Sequence, residues 1–193
     1  MKILGVDQSL SKCAFVQMQD GEVKSVSLSK TGASKVKTKR KDTNYYDTLP
    51  EQIHHICLGL REQVSEFNPD HIVFESLSFG SVGDASRNLA CLFGAMQETL
   101  IMIGYKGEVT SYAPTSLKSY AHTFLSEDRK WDGKTKAGKP KKIKMDKKMV
   151  VEAVKNLYGD SYLKDYNYST GLDDLADATF LAHKTWTENE KKD

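Results

Sequence analysis

The chain contains few cysteines and prolines and no long apolar segment. Its 193 residues include only three cysteines, Cys13, Cys57 and Cys91. Because these are odd in number, far apart and in apolar surroundings, we expect buried free thiols rather than a disulfide framework or a cysteine metal site. No apolar run approaches the ~20 residues that cross a bilayer, and the start lacks a signal-peptide pattern. We therefore expect a cytoplasmic protein without a membrane partner.

The length and the apolar content suit one compact unit. With 193 residues and 39% hydrophobic residues, the chain can form one domain around one core. No internal repeat divides the sequence. We therefore expect a single domain over residues 1–193, with a lysine-rich loop inserted at about 127–146.

Short strand-like segments precede an alternation of helices and strands. Asp20-Gly21 is typical of a two-residue hairpin and lies between two β-like segments. Elsewhere apolar residues recur at helical spacing. The predicted strands are 2–6, 13–19, 22–29, 71–74 and 109–112, and the predicted helices are 47–67, 84–103, 114–124, 146–158 and 172–186. This order predicts an α/β fold with a mixed sheet and helices on both faces.

Four carboxylates fall at the ends of these elements. Asp7 ends the first strand and Glu75 ends the fourth, so both lie at the sheet edge where α/β proteins usually bind ligands. Asp174 and Asp177 are three residues apart and share one face of the last helix. Clustered acids repel one another without a cation, and an all-oxygen cluster favours Mg²⁺ or Mn²⁺. The pattern predicts a metal site.

Each of these acids also has a purely structural interpretation. Asp173 or Asp174 would serve equally as a cap of the last helix. Asp173 is also an alternative to Asp174 as a ligand, although only the pair Asp174 and Asp177 has the three-residue spacing. His71 and His122 are weaker candidates, because an isolated histidine more often packs or lies at the surface.

Basic residues are concentrated in two segments. Residues 30–41 contain six basic residues and no acid, and residues 129–148 contain ten basic residues and two acids. The rest of the chain carries an excess of acids. An acidic body with two basic segments suits a protein that brings a phosphate backbone to a carboxylate site. The alternative is that these segments are only solvated loops.

Four motifs in order resemble the RuvC-type Holliday junction resolvases. They are Gly-Val-Asp7-Gln-Ser, Val-Phe-Glu75, Tyr112-Ala-Pro-Thr-Ser-Leu-Lys118 and Asp174-Leu-Ala-Asp177-Ala. The resemblance runs from residue 1 to about 183, includes a helix glycine at Gly94, and would suit a compact viral member. It implies a ribonuclease H-like fold, a homodimer and an endonuclease that cuts four-way or other branched DNA. It also implies two Mg²⁺ or Mn²⁺ ions per site, bridged by Asp7 and completed by Glu75, Asp174 and Asp177.

The same resemblance implies residues that contact DNA. Lys118 matches a lysine that contacts a phosphate near the scissile bond. Lys147 matches a second lysine, with Lys144 or Lys148 as substitutes. Phe79 lies one position beyond the aromatic residue that approaches the junction centre, and core packing is its alternative role. Arg87, on the first turn of a helix, would reach a phosphate or simply lie at the surface.

Other functions share parts of this pattern. A ribonuclease H that cuts RNA–DNA hybrids uses the same fold and metals, and the Pro-x-x-x-Lys motif and the basic insertion favour branched DNA over it. A non-catalytic branched-DNA-binding protein would have lost a carboxylate, whereas all four are present. A sugar-kinase or actin-like ATPase needs two such domains and a second Gly-rich phosphate loop, for which the chain is too short.

Overall fold

The computed structural model describes residues 1–77 and 83–191. The strands are β1 (Lys2–Asp7), β2 (Lys12–Gln19), β3 (Glu22–Ala33), β4 (Asn44–Tyr46), β5 (His71–Glu75), β6 (Glu108–Tyr112), β7 (Trp131–Lys134) and β8 (Pro140–Lys142). The helices are α1 (Leu49–Phe67), α2 (Asp84–Met102), α3 (Pro114–His122), α4 (Lys147–Tyr158) and α5 (Leu172–Glu190), with a short 3₁₀ turn at Glu127–Arg129.

Six strands form one mixed sheet in the order β4-β3-β2-β1-β5-β6. β1, β2 and β3 form an antiparallel meander, while β5 and β6 run parallel to β1. The predicted hairpin at Asp20-Gly21 is present, with positive φ of 51° and 81° at its two central residues. Positive φ at both positions is the signature of a type I′ turn. The predicted mixed sheet is confirmed.

Each face of the sheet is covered by helices. Alternate side chains of a strand point to opposite faces. On one face Ile3, Val16 and Met18 pack in a core with α3, α4 and α5. On the other face, Leu4 and Phe15 belong to a core with α1 and α2. The prediction of helices on both faces is confirmed.

Helix ends follow local capping signals. α1 begins at Leu49 because Thr48 and Glu51 form a reciprocal capping box, two residues after the predicted start. It ends at Asn68, whose φ of 49° is left-handed. Gly104, with φ of 70°, stops α2 as the sequence predicts. In the described ranges, no helix is both long and apolar enough to cross a bilayer.

Two strand pairs were absent from the sequence prediction. β4 has only three residues and gains its strand character by pairing parallel with the end of β3. The basic insertion, predicted as a loop, contains the antiparallel hairpin β7–β8. Its strands are rich in lysine, glycine, aspartate and proline, which have low β-propensity. Both β4 and the β7–β8 hairpin are therefore strands because of their pairing and not because of their amino-acid composition.

One expectation about the thiols was wrong. Cys13 and Cys57 are buried, whereas Cys91 is exposed. Cys91 lies on α2 next to Leu92, which is buried together with Met96. Adjacent helical residues point about 100° apart, so an apolar neighbour in sequence does not place Cys91 on the buried face.

Close contact between α5 and β1 requires a glycine at position 5. A Cβ added at Gly5 would overlap the carbonyl oxygen of Ala178 and lie 3.0 Å from the Ala182 Cβ. The small residues on both sides let the helix backbone approach the strand directly. This approach sets the position of the first turns of α5 relative to the end of β1.

We predict that Gly5→Ala lowers the free energy of unfolding by about 2 kcal/mol, because the added methyl group overpacks this contact. Gly59→Ala, inside α1, is the matched control, since a Cβ there would make only an ordinary van der Waals contact, 3.5 Å from the nearest atoms of Ser29. The control should gain about 0.5–1 kcal/mol from its higher helix propensity. Urea unfolding of both variants measures the difference, and equal stabilities would contradict the packing account.

Candidate metal centre

The ends of β1 and β5 bring two carboxylates to one edge of the sheet. The strands are parallel neighbours, with Val6 opposite Phe74, so Asp7 and Glu75 follow at adjacent positions. The Gln8 side chain fixes this arrangement, because its Nε2 donates to the Glu75 carbonyl oxygen and its Oε1 accepts from the Glu75 N–H at 3.2 Å. Gln8 was not singled out from the sequence.

The other two carboxylates come from the start of α5. The helix begins after Gly171, whose φ of 109° is left-handed and whose Cα faces Leu28. Asp174 and Asp177 are both half-buried on the first turns. Asp177 directly precedes Ala178, the residue in contact with Gly5. The contact between α5 and β1 therefore carries Asp177 to the end of β1.

Burial and mutual repulsion raise the pKa values of the two innermost acids. Burial raises the pKa of Asp7 well above its usual range, and the negative charges of Asp177, Glu75 and Asp174 raise it further. For Asp177, burial and then the Glu75 charge raise the pKa to about 7. The carboxyl groups are thus close enough to disfavour each other's ionised forms.

Lysines offset part of this charge. Burial raises the pKa of Glu75, and the nearby Lys118 ammonium lowers it. Burial and Asp173 raise the pKa of Asp174, while Lys12 lowers it. The Lys12 Nζ lies 3.6 Å from the Asp174 Oδ2. Lys12 was not identified from the sequence. The feature that could have indicated it is its position at the start of β2, the strand that pairs antiparallel with β1.

Lys147 and Asp173 form an ion pair beside the cluster. The Lys147 Nζ donates to the Oδ2 of the buried Asp173, and this bond raises the pKa of Lys147. Asp173 does not cap α5, because the N-cap position belongs to Gly171. The capping interpretation of Asp173 was wrong, since the helix begins two residues earlier than a cap at 173 requires.

The remaining candidates are dispersed. Lys144 is exposed, two residues before the N-cap of α4. Arg87 is exposed on the first turn of α2, 3.9 Å from Asp84. Phe79 lies outside the described residues. His71 is buried at the start of β5, and His122 donates through Nε2 to the Lys130 carbonyl oxygen at 2.9 Å, so both have packing roles.

The donor set suits a hard divalent cation. In the described residues, the buried Oδ1 of Asp173 has no hydrogen-bond partner, and the buried Oδ2 of Asp174 has no hydrogen bond and only the ion pair with Lys12 at 3.6 Å. Such oxygens are costly to bury unless something compensates them. Within the same ranges, no three acidic, histidine or cysteine side chains are already close enough to form a complete cation cage. Carboxylates that share a site of low polarity repel each other, so closing them into a cage requires a cation.

Comparison with known proteins identifies relatives in one group. The chain is 26% identical over 159 residues to the crossover junction endodeoxyribonuclease RuvC of Campylobacter concisus, covering 82% of this chain and 83% of the relative. No protein-family model matches the sequence. The relative carries the name of the family that the four sequence motifs resemble.

Solved structures show the same fold. Thermus thermophilus RuvC in complex with a Holliday junction substrate matches with a TM-score of 0.63 and 15% identity, over 98% of this chain and 96% of that one. The yeast mitochondrial Holliday junction resolvase matches at 0.62 and 15%, over 98% and 80%. The fowlpox virus resolvase matches at 0.51 and 13%, over 97% and 99%. The predicted resemblance and the ribonuclease H-like resolvase fold are confirmed.

We predict that the metal-free protein loses stability as pH rises from about 4 to about 7. The folded-state pKa of Asp177 is raised from 3.8 to about 7, so in this window the folded state holds more protons than the unfolded state, and a rise in pH favours unfolding. The loss should be on the order of 4 kcal/mol, because each unit of difference between the folded and unfolded pKa corresponds to about 1.4 kcal/mol. Thermal unfolding in EDTA across this range measures it.

Mg²⁺ should restore the lost stability at pH 7.5, because a ligand that binds only the folded state stabilises it. Asp177→Asn should be more stable than wild type in EDTA at pH 7.5 and should respond less to Mg²⁺. Asp160→Asn, at an exposed carboxylate after α4, is the control and should behave as wild type. A wild-type protein indifferent to both pH and Mg²⁺ would contradict the metal-site interpretation.

Proposed function

We propose that this chain is a Mg²⁺- or Mn²⁺-dependent endonuclease that cuts four-way (Holliday) or other branched DNA. The observation that carries the proposal is the carboxylate cluster at the sheet edge, flanked by Lys118 and Lys147, in a resolvase fold. The names of the relatives support the substrate class, since they are a crossover junction endodeoxyribonuclease and Holliday junction resolvases.

The proposed site would hold two divalent ions. Asp7 would be a ligand of both, and Glu75, Asp174 and Asp177 would complete the ligand set. When bound, two such ions activate a water and offset the negative charge that develops on the phosphate during in-line displacement. All four ligands bind a metal in the ionised form, so the raised pKa values of Asp7 and Asp177 mean that metal binding and proton release are coupled.

The chain's own residues orient the ligands and the DNA. Gln8 holds the backbone of Glu75 from both its N–H and its carbonyl group, which limits the movement of that ligand. Lys118 lies in the middle of α3 and Lys147 is the first residue of α4, and the positive charges of both act on Asp177. Their ammonium groups would contact the phosphate backbone at the scissile bond, since lysine is a compact cationic donor to phosphate.

The hairpin β7–β8 is a second basic element. It is held to the body by an ion pair of 3.1 Å between Arg129 and Glu152, and by the bond from His122 to Lys130. Its lysines at 134, 136 and 139 are exposed. A two-stranded ribbon fits the major groove of duplex DNA. We infer that this hairpin contacts a duplex arm of the branched substrate.

Two cuts in a four-way junction require two active sites, and a two-fold homodimer supplies them. An exposed stripe on α2 supports this assembly, formed by Arg87, Cys91, Gly94, Glu98 and Ile101 at helical spacing. Ile101 is 71% exposed, as an interface residue of an isolated protomer would be. Gly94 allows a second helix to approach closely. We infer that α2 packs against its copy.

Two alternatives use the same features. A ribonuclease H would cut an RNA–DNA hybrid as a monomer, and a non-catalytic protein would bind branched DNA without cutting it. The basic hairpin and the exposed α2 stripe favour the resolvase, because neither is needed for a cut in one strand of a hybrid.

We predict that Asp7→Asn and Glu75→Gln each reduce cleavage of a four-way junction at least about 100-fold while junction binding stays intact or tightens. Each change removes a metal ligand and also a negative charge that repels phosphate. The measurement compares purified protein with Mg²⁺ on a four-way junction, a linear duplex and an RNA–DNA hybrid.

The control for this experiment is Asp160→Asn, which should cleave the junction at the wild-type rate. If either ligand variant cuts at near the wild-type rate, the metal role of that residue is wrong. If the hybrid is cut faster than the junction, the ribonuclease H alternative replaces the resolvase.

We predict that the wild-type protein sediments as a dimer at micromolar concentration and that a short bismaleimide links two copies through Cys91. Cys91→Ser should remove the crosslink and leave the dimer, while Cys57→Ser, at a buried thiol, should change neither. Mixed dimers of wild type with Asp7→Asn should nick only one strand. A monomer that fully resolves junctions would overturn the dimer.

A further inference from the structure

A cationic cleft of about 230 Å³ opens beside the carboxylate cluster, between the start of β2 and the loop 34–43. Its lining includes Lys12, Lys30 and Arg40 together with the hydroxyl-bearing residues Ser11, Thr38 and Thr43. Among the lining residues described there are three cations and no carboxylate. This composition suits an anion, because it combines positive charge with neutral hydrogen-bond donors.

Lys12 joins this cleft to the metal centre. Its Nζ lies 3.6 Å from the Asp174 Oδ2 and donates to the Tyr168 carbonyl oxygen at 3.1 Å. The same side chain therefore borders the carboxylate cluster and lines the cleft. An extended strand whose scissile phosphate lay at the cluster would pass a neighbouring phosphate near the cleft.

Arg40 is held in place before any ligand arrives. Its backbone N–H donates to the Tyr45 hydroxyl at 2.7 Å, and its Nη1 donates to the Ser169 carbonyl oxygen at 2.6 Å. A guanidinium group has five N–H donors, and the contacts described for its side chain use one. Arg40 therefore retains the donors needed for a two-point contact with phosphate.

Lys30 lines the same cleft and has hydrogen-bond donors that its protein partner does not use. It is half-buried on β3, and its Nζ donates to the Oδ2 of Asp42 at 2.6 Å. An ammonium group has three donors, so this pair leaves room for a second acceptor. Asp42 itself is 53% exposed, where water screens its charge.

We propose that this cleft binds a phosphodiester group of the DNA strand, adjacent to the phosphate that is cut. The inference rests on the proposed function for the choice of DNA as the source of the anion. In this arrangement Arg40 and Lys30 supply the charge, and the hydroxyl groups orient the phosphate oxygens. The basic segment 30–41 then acts as a fixed contact to one backbone position rather than as a diffuse attraction.

The test is a neutral-phosphate scan. A four-way junction is prepared with a single methylphosphonate at each position near the cut, and binding is measured by fluorescence anisotropy in Ca²⁺. At one position the neutral group should weaken binding by wild type about fivefold, as expected for the loss of one phosphate contact. Arg40→Gln should bind the unmodified junction about fivefold more weakly and should be insensitive to the methylphosphonate at that position.

Lys24→Gln is the matched control, because Lys24 is exposed on β3 six residues from Lys30, roughly 20 Å along the strand. It should retain the wild-type pattern. Arg40→Gln should also flatten the slope of log affinity against log salt by about one. Thermal unfolding checks that the variants fold, and Lys30→Gln serves as a second variant with the same expected pattern.

The outcomes separate this inference from the proposed function. If wild type binds the junction but Arg40→Gln and Lys30→Gln keep the wild-type interference pattern, the cleft does not bind phosphate, and the nuclease proposal stands. If a folded wild-type protein binds no DNA, both fail. If free inorganic phosphate displaces nothing while one methylphosphonate position distinguishes wild type from Arg40→Gln, the anion is a backbone phosphate.

Discussion

Four carboxyl groups lie at one edge of the sheet, and their burial and mutual repulsion are the main energetic cost of the site. The surrounding structure must offset this cost. Burial and mutual repulsion raise the pKa values of Asp7 and Asp177. The fold opposes this cost by direct backbone packing of α5 on β1 at Gly5 and by the Gln8 clamp on Glu75. The carboxylates are thus held together by the packing of the surrounding strands and helix and not by attraction to one another.

Lysines around the edge serve the same electrostatic balance and also point toward function. Lys12 lies next to Asp174, and Lys147 is paired with Asp173. Cations placed beside acids in this way stabilise the metal-free protein, and in the proposed nuclease they would contact the phosphates of a bound strand. A site that accepts both metal ions and a polyanion needs cationic side chains that can exchange a carboxylate partner for a phosphate. Ion pairs near a protein surface are weak enough to allow this exchange.

Much of this arrangement could be predicted from the sequence, for a physical reason. Asp7 and Glu75 end apolar runs, and Asp177 follows Asp174 by three residues, so local pattern alone puts them at element ends. Lys12 and Gln8 could not be found in this way, because their contacts join segments far apart in the chain. β4 and the β7–β8 hairpin were missed since pairing, not propensity, makes them strands, and the orientation of Cys91 depends on how α2 packs.

The central claim is that these carboxylates form a divalent-cation site, and Mn²⁺ binding tests it most directly. Titration of the DNA-free protein followed by electron paramagnetic resonance should reveal about two bound Mn²⁺ per wild-type chain at saturation, as in two-metal phosphodiesterases. Asp7→Asn should lose most of this binding, because it removes the shared ligand. Equal Mn²⁺ binding by wild type and Asp7→Asn, or no saturable binding by wild type, would contradict the account.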